Sequence, residues 1–396
     1  MKITAIETLS QPEGPSPSVT FVLLHTDEGI TGLGETYYTP QTVAAYVHEA
    51  IAPVVLGADP LLDSVWDTLY AQSARRVGGG TDMRAISAID LALWDLKGKA
   101  AGLPVYALLG GADPSRSGVA VYNTCAGIAY AASTHVGRGG QAGPDDLWRA
   151  ANDPGGLAQE LRDEGFVGMK VWPFDAAAQR YGGMRISSAE VKAGRSVVER
   201  IRDAVGDDLE IMLEGHAQWD ASPALKILES VAEFDIQWAE DFVLAHDPAT
   251  LRWLSERSPV PLAASEYLGG RWQYRQLLEQ GAIQYLHLDP SWCGGISEAQ
   301  KILALTSAHG VVASMHDCTG PINLLAGLHL AAANQTVAYQ EVLRSYLSDV
   351  YPSMVDTEWT RSGGLMAAPD RPGLGAELTE QYLAQPGLVR QVSRRD

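Results

Sequence analysis

The feature that most constrains this chain is an alternation of short apolar runs and helical segments that repeats eight times after Val119. The runs are VAVYN (119–123), FVGMKVW (166–172), LEIMLE (209–214), IQWAE (236–240), PLAASE (261–266), IQYLHLD (283–289), VVASMH (311–316) and TVAYQE (336–341). Each ends in or near a polar residue. Glu214 and Glu240 are 26 residues apart, as are Glu240 and Glu266, and the next steps, to Asp289, His316 and Glu341, are 23, 27 and 25. Each step holds one strand, one loop and one helix, the crossover that parallel strands require. Eight such units predict an α/β chain folded as a (β/α) barrel. Two early steps are longer. Residues 124–156, rich in Gly, Ala, Ser and Asp, read as a loop insertion after the first strand, and 173–188 as a second extended connection. Loops that follow strand C-termini lie on the face where barrels place their active sites.

The N-terminal part has a different grammar. Residues 3–8 and 19–25 read as strands, Asp27-Glu28-Gly29 as a turn, and Ile30 to Glu35 as the return strand of an antiparallel meander. Helices are expected at 41–52, 61–73 and 83–99. In the last of these Ile86, Ile89, Leu93 and Leu96 recur every three or four residues, and Gly102 and Pro104 end it. The expected division is an α+β capping domain (1–115), a barrel (116–355) and a C-terminal segment (356–396). That segment is too short for a domain and should return to the cap.

Charge and cysteine content narrow the functional classes. Lys plus Arg number 29 against 48 Asp plus Glu, a formal net charge of −19. This argues against binding nucleic acid or an anionic membrane surface. It leaves room for an anionic substrate, because a divalent cation reverses the local field. Apolar residues make up 46%, enough for a sizeable core. Cys125, Cys293 and Cys318 form neither a disulfide framework nor a CxxC site, which points to a reducing compartment. With no apolar leader or membrane-length run, a cytoplasmic protein is expected.

Polar residues at strand C-termini carry the chemistry of a barrel. Glu214, Glu240 and Glu266 end three consecutive strands, and three adjacent carboxylates repel one another without a cation. Oxygen ligation with open positions suits Mg²⁺, with Mn²⁺ as the other candidate. Asp289 and His316 end neighbouring strands, so the carboxylate would orient the imidazole as a general base. Lys170, near the end of the second strand, can polarise a bound carboxylate or act as a base. His216 follows Glu214 by two residues and faces the same way if the strand extends that far, as a second acid or base. Glu341 ends the eighth strand, where a protonated carboxyl can hydrogen-bond a substrate oxygen. Gly269-Gly270 and Gly294-Gly295 match no phosphate-binding fingerprint, and GxSxG and HExxH are absent.

These residues lie in motifs that together resemble the enolase superfamily, within it the mandelate racemase and muconate lactonizing enzyme subgroup. The motifs are DEGITGLGE (27–35), SAIDLALWDLKGKAAGLPVYALLGG (87–111), MKVWPFD (169–175), LEGHAQW (213–219), WAED (238–241), ASE (264–266), LDPSWCGGISEA (288–299), MHDCTGP (315–321) and PGLG (372–375). The resemblance implies a modified TIM barrel, (β/α)7β, with an N-terminal α+β cap completed by the C-terminal segment. It implies Mg²⁺ on Glu214, Glu240 and Glu266, an Asp289–His316 base dyad, Glu341 as the eighth-strand carboxyl, and removal of a proton alpha to a carboxylate.

Three departures from the family pattern refine this. The second-strand KxK is here Lys170-Val171-Trp172, which disfavours a two-base racemase. The first ligand, more often Asp, is Glu214. His216 stands where galactonate-dehydratase-like members carry a catalytic histidine. Together they point to an acid sugar dehydratase, a hydro-lyase forming a 2-keto-3-deoxy acid. Its expected partner is a small-molecule sugar acid, and the enzyme is expected to be a homo-oligomer. The competing expectation is a cycloisomerase or epimerase of a related or anhydro sugar acid. A non-catalytic scaffold is disfavoured, because every expected ligand and base is present. Loops at 10–18, 75–80 and 124–156 are expected to set specificity.

Overall fold

The computed structural model describes residues 1–11, 19–74, 79–112, 117–127 and 145–395. Three strands, β1 (Ile3–Ser10), β2 (Val19–Thr26) and β3 (Thr31–Tyr37), form the antiparallel meander, and the C-terminal strand Val389–Arg394 pairs on the far side of β1, with Ser10 opposite Val389. The helix expected at 83–99 runs Thr81–Ala101 and buries Ile86, Ile89, Leu93 and Leu96. Burying each such aliphatic side chain contributes about 1.5–3 kcal/mol. The helix stops at Gly102, whose φ of +67° lets the chain turn back on the last carbonyls. It lies directly on β3 because Gly32 and Gly34 have no side chains: a Cβ at either would overlap the carbonyls of Ala92 and Ala88.

The second body is a closed barrel of eight parallel strands: β4 (Val119–Thr124), β5 (Gly168–Val171), β6 (Glu210–Glu214), β7 (Ile236–Glu240), β8 (Leu262–Ala264), β9 (Tyr285–Leu288), β10 (Val312–Met315) and β11 (Val337–Val342). Neighbours in the chain are neighbours in the barrel, and β11 pairs with β4 to close it. A short ribbon, Arg361–Ser362 and Leu365–Met366, pairs antiparallel with the start of β4. Tyr122, Met212, Trp238 and Ala263 fill the lumen, with Tyr285 and Tyr339 packed against them, so the barrel is a core and not a pore.

Five of the eight expected barrel strands are shorter here, by one to three residues. Glu266, Asp289 and His316 lie just past the last ladder residue, where the backbone is already turning and their side chains reach the rim. The connection at 173–188 contains a helix, Asp175–Tyr181. The insertion at 124–156 ends in helices Asp146–Asn152 and Pro154–Asp163, and its stretch 128–144 lies outside the described residues, as do 12–18 and 75–78 of the other two expected specificity loops.

Long-range polar contacts dock the cap on the rim. Buried Asp95 accepts from the amides of Leu33 (2.8 Å) and Leu374 (2.7 Å), tying β3 to the PGLG turn. Asp90 accepts from Ser297 N (2.8 Å) and Oγ (2.6 Å). Trp66 Nε1 donates to the Gly294 carbonyl at 2.6 Å. Glu35 accepts from Asn323 N at 2.6 Å, at the start of the helix Pro321–Ala333.

Candidate active site

Lys170, on β5, is the centre of the rim. Its ammonium is 4% exposed and lies 2.8 Å from Glu240, 2.9 Å from Glu341 and 3.3 Å from Glu214. β6 and β7 are paired with Glu214 directly opposite Glu240, which brings the two carboxylates together. Burial opposes the charged ammonium, but Glu240 and Glu341 outweigh it and hold its pKa well above the ordinary value. Burial and then Glu214 push the Glu240 carboxyl up to about 8. Burial also raises Glu266. Burial would raise Glu341 too, but Lys170 and His316 bring it below the usual carboxylate range.

Two imidazole–carboxylate dyads face this centre. His316 Nδ1 donates to Asp289 Oδ2 at 2.7 Å. Asp289 is pinned in turn by Ser291 N and Oγ, each at 2.7 Å, and by Asn323 Nδ2 at 3.1 Å. The bond holds the ring, and Nε2 at its other edge faces Cys318 and the Glu341 carboxylate, 3.9 Å away. Burial works against charging this imidazole, but Cys318 and Asp289 more than offset it, and its pKa lies well above the ordinary histidine value. The Cys318 Sγ is 3.6 Å from Nε2, and burial pushes its thiol up to about 11.

The second dyad is His216 with Asp175, Nδ1 to Oδ2 at 2.7 Å, and Gln218 Nε2 holds the same oxygen at 3.2 Å. His216 reaches the chamber by a different route from strand alternation. β6 stops at Glu214, and His216 and Ala217 take left-handed φ values of 48° and 54°. Burial opposes its charge, but Asp175 and Glu214 raise its pKa to about 9. β6 and β10 are four strands apart in an eight-stranded ring, so the dyads sit on opposite sides of the mouth.

The chamber has an excess of buried carboxylates, and the Glu266 Oε2 has no hydrogen-bond partner. Among the described residues, Glu240, Glu266 and His287 offer donor atoms that all lie within 4.8 Å of one another. Such a group fits a divalent cation, whose ligands at about 2–2.5 Å from the ion must crowd together in this way. Of the three expected ligands, the structure thus gathers Glu240 and Glu266. Glu214 presents its Oε2 to Lys170 at 3.3 Å, while its Oε1 accepts from the amides of Gly215 (2.9 Å) and His216 (2.6 Å).

The walls are aromatic. Tyr38, Trp172, Tyr267 and Trp292 line the chamber with Thr124, Ala126 and Cys318. Tyr38 comes from the cap; it and Thr39 have φ values of 70° and 47°, which turn the end of β3 toward the mouth. The Arg84 guanidinium stacks over Trp292 (4.1 Å) and Tyr38 (5.1 Å), joining cap to barrel. Trp172, in place of a second lysine, meets His216 edge-on at 5.4 Å.

Sequence reasoning missed Asp175 and His287. His287 precedes Asp289 by two, so strand alternation already placed it on the same face. Asp175 carried no such signal, since it meets His216 across 41 residues.

Residues 5–110 match the mandelate racemase / muconate lactonizing enzyme N-terminal domain, and 155–382 match the enolase C-terminal domain-like family. The chain belongs to the enolase superfamily, in the mandelate racemase / muconate lactonizing enzyme group, and is an enzyme. A D-galactonate dehydratase of Xanthomonas axonopodis pv. citri is 32% identical over 393 residues, covering 97% of this chain and 94% of that protein. A D-galactonate dehydratase family member of Pseudarthrobacter chlorophenolicus is 29% identical over 93% of this chain and 92% of its own length. A crystal structure of an enolase of the mandelate racemase subgroup from Agrobacterium tumefaciens superposes with a TM-score of 0.85 at 37% identity, covering 100% of this chain and 99% of that one. No helix among the described residues is long and apolar enough to cross a membrane.

Proposed function

We propose that this enzyme is a divalent-metal-dependent acid sugar dehydratase, a hydro-lyase that removes the proton alpha to a carboxylate and expels the 3-hydroxyl to give a 2-keto-3-deoxy acid. The observation that carries the reading is the pair of dyads, His316–Asp289 and His216–Asp175, on opposite sides of one carboxylate-rich mouth. An elimination needs one group to take a proton and another to give one. The dehydratase relatives support the same reading.

Glu240, Glu266 and Glu214 would hold the metal, Mg²⁺ or Mn²⁺. A divalent cation bound there polarises the substrate carboxylate and, by its charge, lowers the basicity of imidazoles that the surrounding carboxylates otherwise hold protonated. His316 takes the C2 proton on Nε2 while Asp289 holds the ring. Lys170 lies where negative charge develops on the substrate carboxylate, and Glu341 is fixed beside it by the 2.9 Å contact. His216 gives its proton to the departing 3-hydroxyl, which leaves as water. The enol then tautomerises to the ketone. Tyr38, Tyr267 and Trp292 wall the chamber in which these steps would take place.

The same opposed dyads also suit the second reading, epimerisation or cycloisomerisation, in which the second imidazole returns a proton to carbon or the leaving group is a ring ether. A panel of sugar acids, D-galactonate among them, incubated with Mg²⁺ or Mn²⁺ separates the readings. A 2-keto acid product supports dehydration, whereas an isomer of unchanged mass refutes it.

A further inference from the structure

We propose that Asn323 is the positioning residue of the His316–Asp289 dyad and that the cap seats it through Glu35 and Thr36, so that the base is set only where cap and barrel are docked. The proposal rests on reading His316 as the base. It adds to that reading what holds the base in place.

Asn323 uses every hydrogen-bonding group of its side chain on the dyad and its support. Its Nδ2 donates to Asp289 Oδ2 at 3.1 Å and to the His316 carbonyl at 3.0 Å, and its Oδ1 accepts from Ser291 N at 3.0 Å. One partner is an N–H and the other two are oxygens, which settles which end of the amide is which. Asn323 therefore touches both members of the dyad, just beyond β9 and β10. It also touches Ser291, whose N and Oγ hold the other Asp289 oxygen.

Two consecutive residues of β3 in the cap reach these two clamps. Glu35 Oε1 accepts from Asn323 N at 2.6 Å, and Thr36 Oγ1 donates to the Ser291 carbonyl at 2.8 Å. Glu35, Thr36, Asp289, Ser291 and Asn323 are each at most 1% exposed. The helix Pro321–Ala333 starts after Gly320, which has no side chain to cap it, and the Glu35 carboxyl takes that role from 288 residues away. A Cβ at Gly320 would stand 2.5 Å from that carboxyl, so the glycine makes the room. A buried polar network satisfied in this way has one arrangement. If the Asp289 carboxylate turned, the imidazole bonded to it would turn too, and proton transfer depends on placement to within about an ångström.

The test uses full-length protein labelled with ¹⁵N-histidine, in chelator at pH 7. The Nδ1–H resonances of His316 and His216, each bonded to a carboxylate, are assigned by their loss in His316→Asn and His216→Asn. In Asn323→Ala the His316 proton should exchange with solvent roughly 10–100-fold faster, the scale of one hydrogen bond to a charged group, while the His216 proton keeps its rate. Glu35→Ala should act in the same direction. Burial pushes the Glu35 carboxyl up to about 8, so Glu35→Gln, which keeps an acceptor oxygen, should restore the wild-type rate. An unchanged His316 proton in folded Asn323→Ala overturns the proposal. So does equal acceleration of both protons, which would mean general loosening, and so does failure of Glu35→Gln to restore what Glu35→Ala loses. Should Asn323→Ala not fold, Thr36→Val, close in shape, carries the same arm, and an unchanged His316 proton there overturns the proposal equally. On an acid that the wild type turns over, Asn323→Ala should slow alpha-proton exchange by about 10²-fold and raise the isotope effect of deuterium at C2; a slowing with no change in that isotope effect overturns the role in the proton transfer. Wild-type protein that exchanges no alpha proton on any acid of the panel sinks the reading of His316 as base, whereas the resonance arm, which needs no substrate, still decides whether Asn323 positions the ring.

Discussion

Replacing Lys170 by Met tests whether one ammonium holds the chamber together. Methionine is close to lysine in length, so packing is largely kept while the charge goes. Lys170 is 4% exposed and within 3.3 Å of three carboxylates that are themselves at most 2% exposed. Removing one partner of a buried ion pair costs about 3–5 kcal/mol, because the other charge stays behind in a poor solvent. Unfolding entropy of about 2.1 cal/mol/K per residue over a chain of 396 residues turns that into a fall in Tm of about 4–6 °C. The assay is thermal and urea unfolding in chelator at pH 8, then at pH 5, then at pH 8 with excess Mn²⁺. The loss should be largest in chelator at pH 8. It should shrink at pH 5, where the carboxylates take up protons, and shrink again with Mn²⁺, which supplies the missing charge. A metal-free variant within about 1 kcal/mol of wild type at pH 8 would refute the reasoning, since surface-like pairs are worth no more than that.

Three further outcomes are expected. His316→Asn should lose exchange of the substrate alpha proton in D₂O; exchange at the wild-type rate would move the base to Lys170 or His216. His216→Asn should slow 2-keto acid formation by roughly 10²–10⁴-fold, the range for one acid–base group, while alpha-proton exchange survives better; equal loss of both would place His216 in binding or the first step. Burial raises the Asp90 carboxyl from 3.8 to about 6, so its pH effect has a definite sign. Below about pH 4 both folded and unfolded states hold the proton. As pH rises to about 6 the unfolded chain releases it first, and the fold loses up to about 3 kcal/mol. Asp90→Asn should therefore gain on wild type across that window in urea midpoints, and parallel profiles would exclude the effect.

Much of the architecture was legible because it is local. Strand–helix alternation needs only apolar periodicity and turn residues, and the steps of 23 to 27 residues after Glu214 count out the barrel. The carboxylates at the rim followed from the same count. So did the meeting of Asp289 and His316, because adjacent strand ends are adjacent in space once the ring closes. His216 shows where local reasoning stops: its position in the chamber was expected from alternation, yet it arrives there through a left-handed turn and is held by Asp175.

The order of residues thus determined the barrel, its cap and the polar rim, since these depend on period and chain connectivity. Tertiary structure decided which atoms within that rim work together. It turned one oxygen of Glu214 back to its own amides, brought His287 up against Glu240 across 47 residues, and set Lys170 among three carboxylates from three other strands. The physical reason is that periodicity assigns a side chain to a face, while a hydrogen bond or a metal bond depends on tenths of an ångström. Those are settled only when elements distant in the chain pack and exclude water.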